Sequence, residues 1–291
     1  LPDQMEILSD ISESNIVKTI KAKDGDGQVV IVDLEGIASR LVSRAISQAD
    51  LVITPMRATT LDATIGSRAI DLVAEEEEAL ATLINGDAPG VMARDCAVLG
   101  IPFVHISTDY VFDGTKPGFY ATQDKRAPLN AYGRSKAAGE RSVIAAGGQS
   151  LILRTSWVYD GTAQNFLTTM LRLAKERTHL DIVNDQFGRP TYAGHLAQAC
   201  LAALNNVPSS PKIYHVTNSG PVISWADFAA VIFEHAKIHP YINPVSTAYF
   251  SSPAKRPANS ALDITAFERD FNYPLEPWGI GLKLAFHERE R

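Results

Sequence analysis

The chain has 291 residues, 45% of them hydrophobic, with 27 Lys and Arg against 33 Asp and Glu for a formal net charge of −6 at pH 7. This length holds one large core or two modest domains, and the lack of a Lys/Arg block argues against a nucleic-acid surface. No apolar run approaches the roughly 18 residues of a spanning helix, so neither nucleic acid nor membrane is an expected partner. Leu1-Pro-Asp-Gln-Met-Glu6 has neither the basic nor the apolar part of a signal peptide. The two cysteines, Cys96 and Cys200, lie in apolar helical contexts and read as reduced core residues. The expected compartment is cytoplasmic.

In chain order, residues 28–33 and 51–55 read as buried strands around an amphipathic helix over 37–48, a βαβ unit suited to a parallel sheet. A helix is predicted over 60–78, where Glu75-Glu-Glu-Glu78 is either a solvated face or a seat for a divalent ion such as Mg. A helix over Ala88–Leu99 stops at Gly100 and leads into a strand over 102–107. Residues 114–128, rich in Gly, Pro, Asp and Lys, form a loop. A helix over 132–146 ends at Gly147-Gly148, and a strand over 150–154 carries Trp157 just past its end. Helices are further predicted over 165–176, 191–205, 225–236 with Ser224 as N-cap, and 278–287, with a strand over 213–217.

The chemistry is concentrated at the end of the 102–107 strand. Thr108 lies 24 residues before Tyr132, which lies four before Lys136. Positions i and i+4 share a helix face, so the Lys136 ammonium can sit near the Tyr132 ring. A phenol titrates near 10, and about 3 units of lowering, by a lysine and a cationic nicotinamide ring, would make it a proton donor near neutrality. Thr108 would hydrogen-bond the substrate carbonyl. YxxxK alone is also an ordinary helix start, but here it follows a strand end, where open α/β sheets place their ligands.

Several ordered motifs carry a resemblance. They are Asn85-Gly-Asp-Ala-Pro-Gly90, Ser107-Thr-Asp-Tyr-Val-Phe-Asp-Gly114, Leu129-Asn-Ala-Tyr-Gly-Arg-Ser-Lys136 and Leu153-Arg-Thr-Ser-Trp-Val-Tyr159. Asp185-Gln-Phe-Gly-Arg-Pro-Thr191 and Pro253-Ala-Lys-Arg-Pro-Ala-Asn-Ser-Ala-Leu-Asp263 continue them. From about residue 75 onward the chain resembles the extended short-chain dehydrogenase/reductase family, and within it the dTDP-4-dehydrorhamnose reductases. The resemblance implies NADPH (or NADH) as cofactor, contacted by Ile106, Tyr132 and Lys136, and a dTDP-sugar substrate whose 4-keto group is reduced. Thr108, Tyr132 and Lys136 would be catalytic. Thr108, Asp109, Trp157 and Arg256 would bind substrate, with a homodimer left open. Beside these roles stand structural readings: Asp109 as a loop cap, Trp157 as core, and Lys255 and Arg256 as a solvated turn. His105 reads as buried structure, and His195, His215 and His235 show no metal-ligand spacing.

The first seventy residues follow another pattern. Val29-Val-Ile-Val-Asp-Leu-Glu-Gly36 and Ala49-Asp-Leu-Val-Ile-Thr-Pro-Met-Arg57 resemble part of a ParA-type partition ATPase, in which an Asp placed like Asp33 helps position Mg. No G-x-x-x-x-G-K-[ST], G-x-G-x-x-G or G-x-x-G-x-x-G run occurs anywhere in the chain. The expected fold is therefore α/β: a Rossmann-like parallel sheet with an incomplete N-terminal half, plus a smaller α/β substrate-binding domain. Residues 1–72 would form the ParA-like segment, with a seam near 71–76. Residues 73–160 would form the rest of the catalytic domain. Residues 161–291 would form mainly the substrate side, with some segments returning to the sheet. Because backbone N–H groups at a helix N-terminus anchor a pyrophosphate, an alternative stays open: a non-catalytic nucleotide-sugar-binding or regulatory subunit, or the inactive product of a rearranged gene.

Overall fold

A computed structural model describes residues 78–204, 206–250 and 254–289, together with the single residue Lys18. The chain divides into two units, 1–80 and 81–291, and the architecture below belongs to the second. The expected βαβ unit over 28–55, the helix over most of 60–78, Asp33 and the seam near 71–76 lie outside the described residues.

The second unit is built on a parallel sheet of β1 (Phe103–Thr108), β2 (Ser150–Thr155) and β7 (Lys212–His215), in the order β1-β2-β7. Every residue of β2 is buried, as befits a parallel strand covered on both faces. Its side chains alternate between the two faces. Leu151 and Leu153 pack with Leu196, Ala199, Tyr214 and Phe267, whereas Ile152 packs with Ala93 and Val143. The first group includes residues of α4 (Ala193–Leu204) and α6 (Thr265–Phe271), and the second residues of α1 (Ala88–Leu99) and α2 (Ala131–Ala146). Helices thus cover both faces, the expected α/β arrangement.

Local chemistry sets the helix ends. Gly100 closes α1 at φ 66°, a conformation that costs glycine little. The Asn130 side chain accepts from Gly133 N–H at 2.8 Å and starts α2. Asn165 and Thr168 form a reciprocal cap for α3 (Phe166–Glu176), and Ser224 and Asp227 form one for α5 (Trp225–Ala236).

The helix expected from residue 191 starts at Ala193, because Thr191–Tyr192 is drawn off as a short strand, β6, pairing with β3 (Val158–Tyr159). The strand expected over 213–217 runs instead over Lys212–His215. A parallel pair not foreseen joins β4 (His179–Val183) to β9 (Tyr241–Val245), and an antiparallel one joins β5 (Phe187–Gly188) to β8 (Ile223–Ser224). On this side a second core gathers Tyr159, Leu167, Phe228, Ile232 and Leu282 from β3, α3, α5 and α7 (Trp278–Arg289). No helix among the described residues is long and apolar enough to cross a membrane.

Candidate active site

Thr108 ends β1 and caps the short 3-10 turn Asp109–Val111. Its hydroxyl accepts from Tyr110 N–H at 3.2 Å and donates to Asp109 Oδ1 at 3.0 Å. Tyr132 enters from the first turn of α2 and is 47% exposed. Its ring meets Tyr110 edge-on, with centroids 5.6 Å apart. The Thr108 side chain is close enough to the phenol to bear on its titration. One turn further along, Lys136 Nζ donates to the Ile106 carbonyl at 2.5 Å. The strand end and one face of α2 therefore bring Ile106, Thr108, Tyr132 and Lys136 together, as the spacing predicts. Gly133 permits the approach: a Cβ there would lie 2.3 Å from the Tyr110 carbonyl oxygen.

The chain's own surroundings do not supply the expected lowering of the phenol pKa. Burial is the largest influence and pushes Tyr132 above its ordinary 10. The Thr108 side chain opposes that rise, and the charge of Asp109 adds to it. Lys136 is itself pulled down by burial, with Glu140 opposing. Its ammonium is directed to a strand carbonyl, not to the phenol.

Asp109 is buried, and both carboxylate oxygens are engaged, Oδ1 by Thr108 and Oδ2 by the Ser260 hydroxyl. Burial nevertheless outweighs these bonds and pushes its pKa up to about 6. This position holds the Thr108 turn from within. Arg256 is exposed, and its charge reaches Tyr110, where it opposes the upward shift caused mainly by burial. The neighbouring Lys255 carbonyl accepts from Asn130 Nδ2 at 2.8 Å, so the Pro-flanked segment leans on the start of α2.

Trp157 lies just beyond β2 at φ 51°, a region a bulky residue occupies at a cost of about 1–3 kcal/mol. Its ring stacks on Trp225 at a centroid distance of 3.5 Å, and Gly188 lies against its edge, where a Cβ would come within 2.7 Å. A cavity of about 400 Å³ opens between Lys116, Phe119, Asp185, Phe187 and Asn259. Arg189 covers the ring of Phe119, which lines this cavity, at 4.4 Å and donates to the Gly220 carbonyl at 2.9 Å.

Sequence reasoning missed Glu140, Arg154, Trp225 and Arg189. Only Glu140 carried a local signal, standing four residues beyond Lys136 on the same helix face. His105 is buried as expected, and its pKa is lowered to about 4, chiefly by burial. Among the described residues no cluster of His, Cys, Asp or Glu could hold a metal ion. The Glu75-Glu-Glu-Glu78 run, read as a solvated face or a seat for a divalent ion, falls mostly outside them.

A parallel sheet that ends in a Thr, beside a helix presenting Tyr and Lys one turn apart, defines a Rossmann-like oxidoreductase of the short-chain dehydrogenase/reductase class. The family model of the RmlD substrate binding domain matches residues 47–290. A dTDP-4-dehydrorhamnose reductase of Burkholderia thailandensis is 39% identical over 254 residues, 82% of each chain. Its counterpart from Escherichia coli K12 is 40% identical over 224 residues, covering 74% of this chain and 75% of the other. Among solved structures, dTDP-4-dehydrorhamnose reductase from Bacillus anthracis in complex with NADP aligns with a TM-score of 0.69. It is 38% identical and covers 74% of this chain and 75% of that one. The chain belongs to the dTDP-4-dehydrorhamnose reductase family.

Proposed function

We propose that this protein reduces the 4-keto group of dTDP-4-dehydro-L-rhamnose to dTDP-L-rhamnose with NADPH. Thr108, Tyr132 and Lys136 meeting at the open end of the sheet is the observation that carries this reading. The nicotinamide end of the cofactor fits: the Tyr132 phenol is half exposed, and Ile106 beside it is 37% exposed. When bound, the cofactor supplies a hydride to the sugar carbonyl carbon.

The chain's own residues supply the rest. Thr108 turns its hydroxyl hydrogen from Asp109 to the carbonyl oxygen and orients it. Tyr132 delivers the proton to that oxygen, and with burial holding the phenol protonated, it is charged with its proton before the substrate arrives. Lys136, held by the Ile106 carbonyl, would hold the nicotinamide ribose of the bound cofactor and stabilises the phenolate left behind. Trp157 offers one ring face to the C–H surface of the deoxysugar, its other face being on Trp225. Arg256, exposed near Tyr110, answers the diphosphate. The cavity beside Phe119 and Arg189 takes the nucleoside end of the substrate.

Tyr132→Phe tests the reading directly. Loss of the general acid should lower turnover by about 10² or more, while the melting temperature stays near the parent's because Phe keeps the ring and its edge-on contact with Tyr110. Parent-level NADPH oxidation with the keto-sugar would remove Tyr132 from the mechanism.

A further inference from the structure

Tyr132, Lys136 and Glu140 follow at four-residue steps along one face of α2. Glu140 is fully buried, yet its carboxylate is held in the ionised form chiefly by Arg154. Oε1 accepts from Ser107 Oγ and from Arg154 Nε, both at 2.7 Å. Oε2 accepts from Arg154 Nη2 at 2.8 Å and Arg126 Nη1 at 3.0 Å. A carboxylate has about four lone-pair sites, so this one is saturated. The donors come from three places: the end of β1, β2, and the loop before α2. Ser107 adjoins Thr108, so its bond to Glu140 ties the strand end that carries Thr108 to the helix that carries Tyr132. Arg154 also donates to the Thr122 carbonyl at 3.0 Å and covers the Phe112 ring at 5.0 Å, which locks the clamp from the far side.

The charges around Glu140 are few. From its own helix comes Lys136, from β2 Arg154 and from the loop Arg126. From β1 comes His105 and from β7 His215, lowered to about 4 and about 3 and therefore neutral at pH 7. Asp263 acts on His215 from the C-terminal segment. Glu140 is thus the anion set against three cations.

Resting on the reductase reading above, we propose that Glu140 is a positioning residue for the reaction. Clamped by Arg154 and Ser107, it sets α2 so that Tyr132 stands beside the Thr108 turn and Lys136 reaches the Ile106 carbonyl, and it provides the counter-charge of Lys136.

Glu140→Gln in the full chain keeps the side-chain size and removes the charge. The acylation rate of Lys136 by an activated ester at pH 8, followed by mass spectrometry on the ligand-free protein, should rise about five- to tenfold as the neutral amine becomes more populated. Turnover should fall about 30-fold, with both KM values changed less than about threefold. The double variant Glu140→Gln with Arg154→Met removes the stranded cation. It should recover the melting temperature without recovering the parent acylation rate, a result that a purely structural Glu140 would not give. A parent acylation rate in folded Glu140→Gln, or its full recovery in the double variant, overturns the proposal. Should Glu140→Gln fail to fold, the double variant carries the acylation readout. Ser107→Ala isolates the geometric half: turnover about tenfold down at the parent melting temperature supports it, and parent turnover overturns it. If the parent chain shows no turnover at all, the reductase reading fails, while the acylation rates still decide the role of Glu140.

Discussion

At Tyr132 the protein by itself works against an acidic phenol, because burial and the Asp109 charge both raise the pKa. Asp109 is therefore a residue whose protonation matters beyond its own site. Its folded pKa of about 6 lies above the unfolded value near 4, so the folded state keeps a proton that the unfolded chain releases between those values. The stability contributed by that proton is complete below pH 4 and is lost as pH rises through 6, a change of roughly 3 kcal/mol for a shift of about two units. Asp109→Asn should flatten this dependence. Urea melts from pH 4 to 7 should show the parent losing stability relative to the variant, and parallel curves would return Asp109 to an ordinary carboxylate. Trp157 carries a second residue-scale prediction. Trp157→Ala exposes the Trp225 face and removes the surface offered to the sugar, so KM for the nucleotide sugar should rise about tenfold with NADPH affinity unchanged. A large loss of thermal stability with unchanged KM would instead make the Trp157–Trp225 stack a core contact.

Helix α2 is positioned by what its sequence leaves out as much as by what it contains. Gly133 faces the Tyr110 carbonyl and Gly139 faces the Asn85 carbonyl, where added Cβ atoms would come within 2.3 Å and 2.0 Å of oxygen. Alanine at either place is a better helix former in isolation, by up to about 1 kcal/mol, but here backbone would have to move. Gly133→Ala should therefore push the first turn of α2 away from the Asp109–Val111 turn, costing about 1–3 kcal/mol in stability. It should also lower kcat more than tenfold by separating Tyr132 from Thr108. Unfolding curves and steady-state kinetics on the same preparation would check both. A variant more stable than the parent with full activity would show that the contact is loose.

At the scale of the whole molecule, a dinucleotide must be held at both of its ends. The proposed site offers residues for the nicotinamide end and for the substrate, whereas no three-glycine turn exists in the sequence. A missing set of backbone N–H donors worth about 3–4 kcal/mol corresponds to a few hundred-fold in Kd. Calorimetry with NADPH and with dTDP separately should find measurable dTDP binding and NADPH binding weaker than a glycine-turn reductase shows. Micromolar NADPH affinity would mean that residues outside the described set build another phosphate site. Binding of neither ligand would favour the inactive-product alternative.

The sequence by itself determined what depends on neighbours within a turn or a strand. The Tyr132–Lys136 spacing put both on one helix face, Gly100 and Gly147 ended helices, and Ser224 capped α5 where predicted. The strand expected over 150–154 is found as β2, and its burial on both faces is a finding of the structure. Tertiary structure decided what depends on residues far apart in the chain. The parallel pairing of β4 with β9 joins His179 to Tyr241, Trp157 finds Trp225, and Glu140 is saturated by Ser107, Arg126 and Arg154. No local periodicity encodes such partners, because a side chain's own sequence neighbours say nothing about which distant strand will close over it. The protonation of Tyr132 and Asp109 belongs to the same class. A pKa is set by desolvation and by the charges that folding brings near, so a motif can name the acid but only the packed structure fixes when it holds its proton.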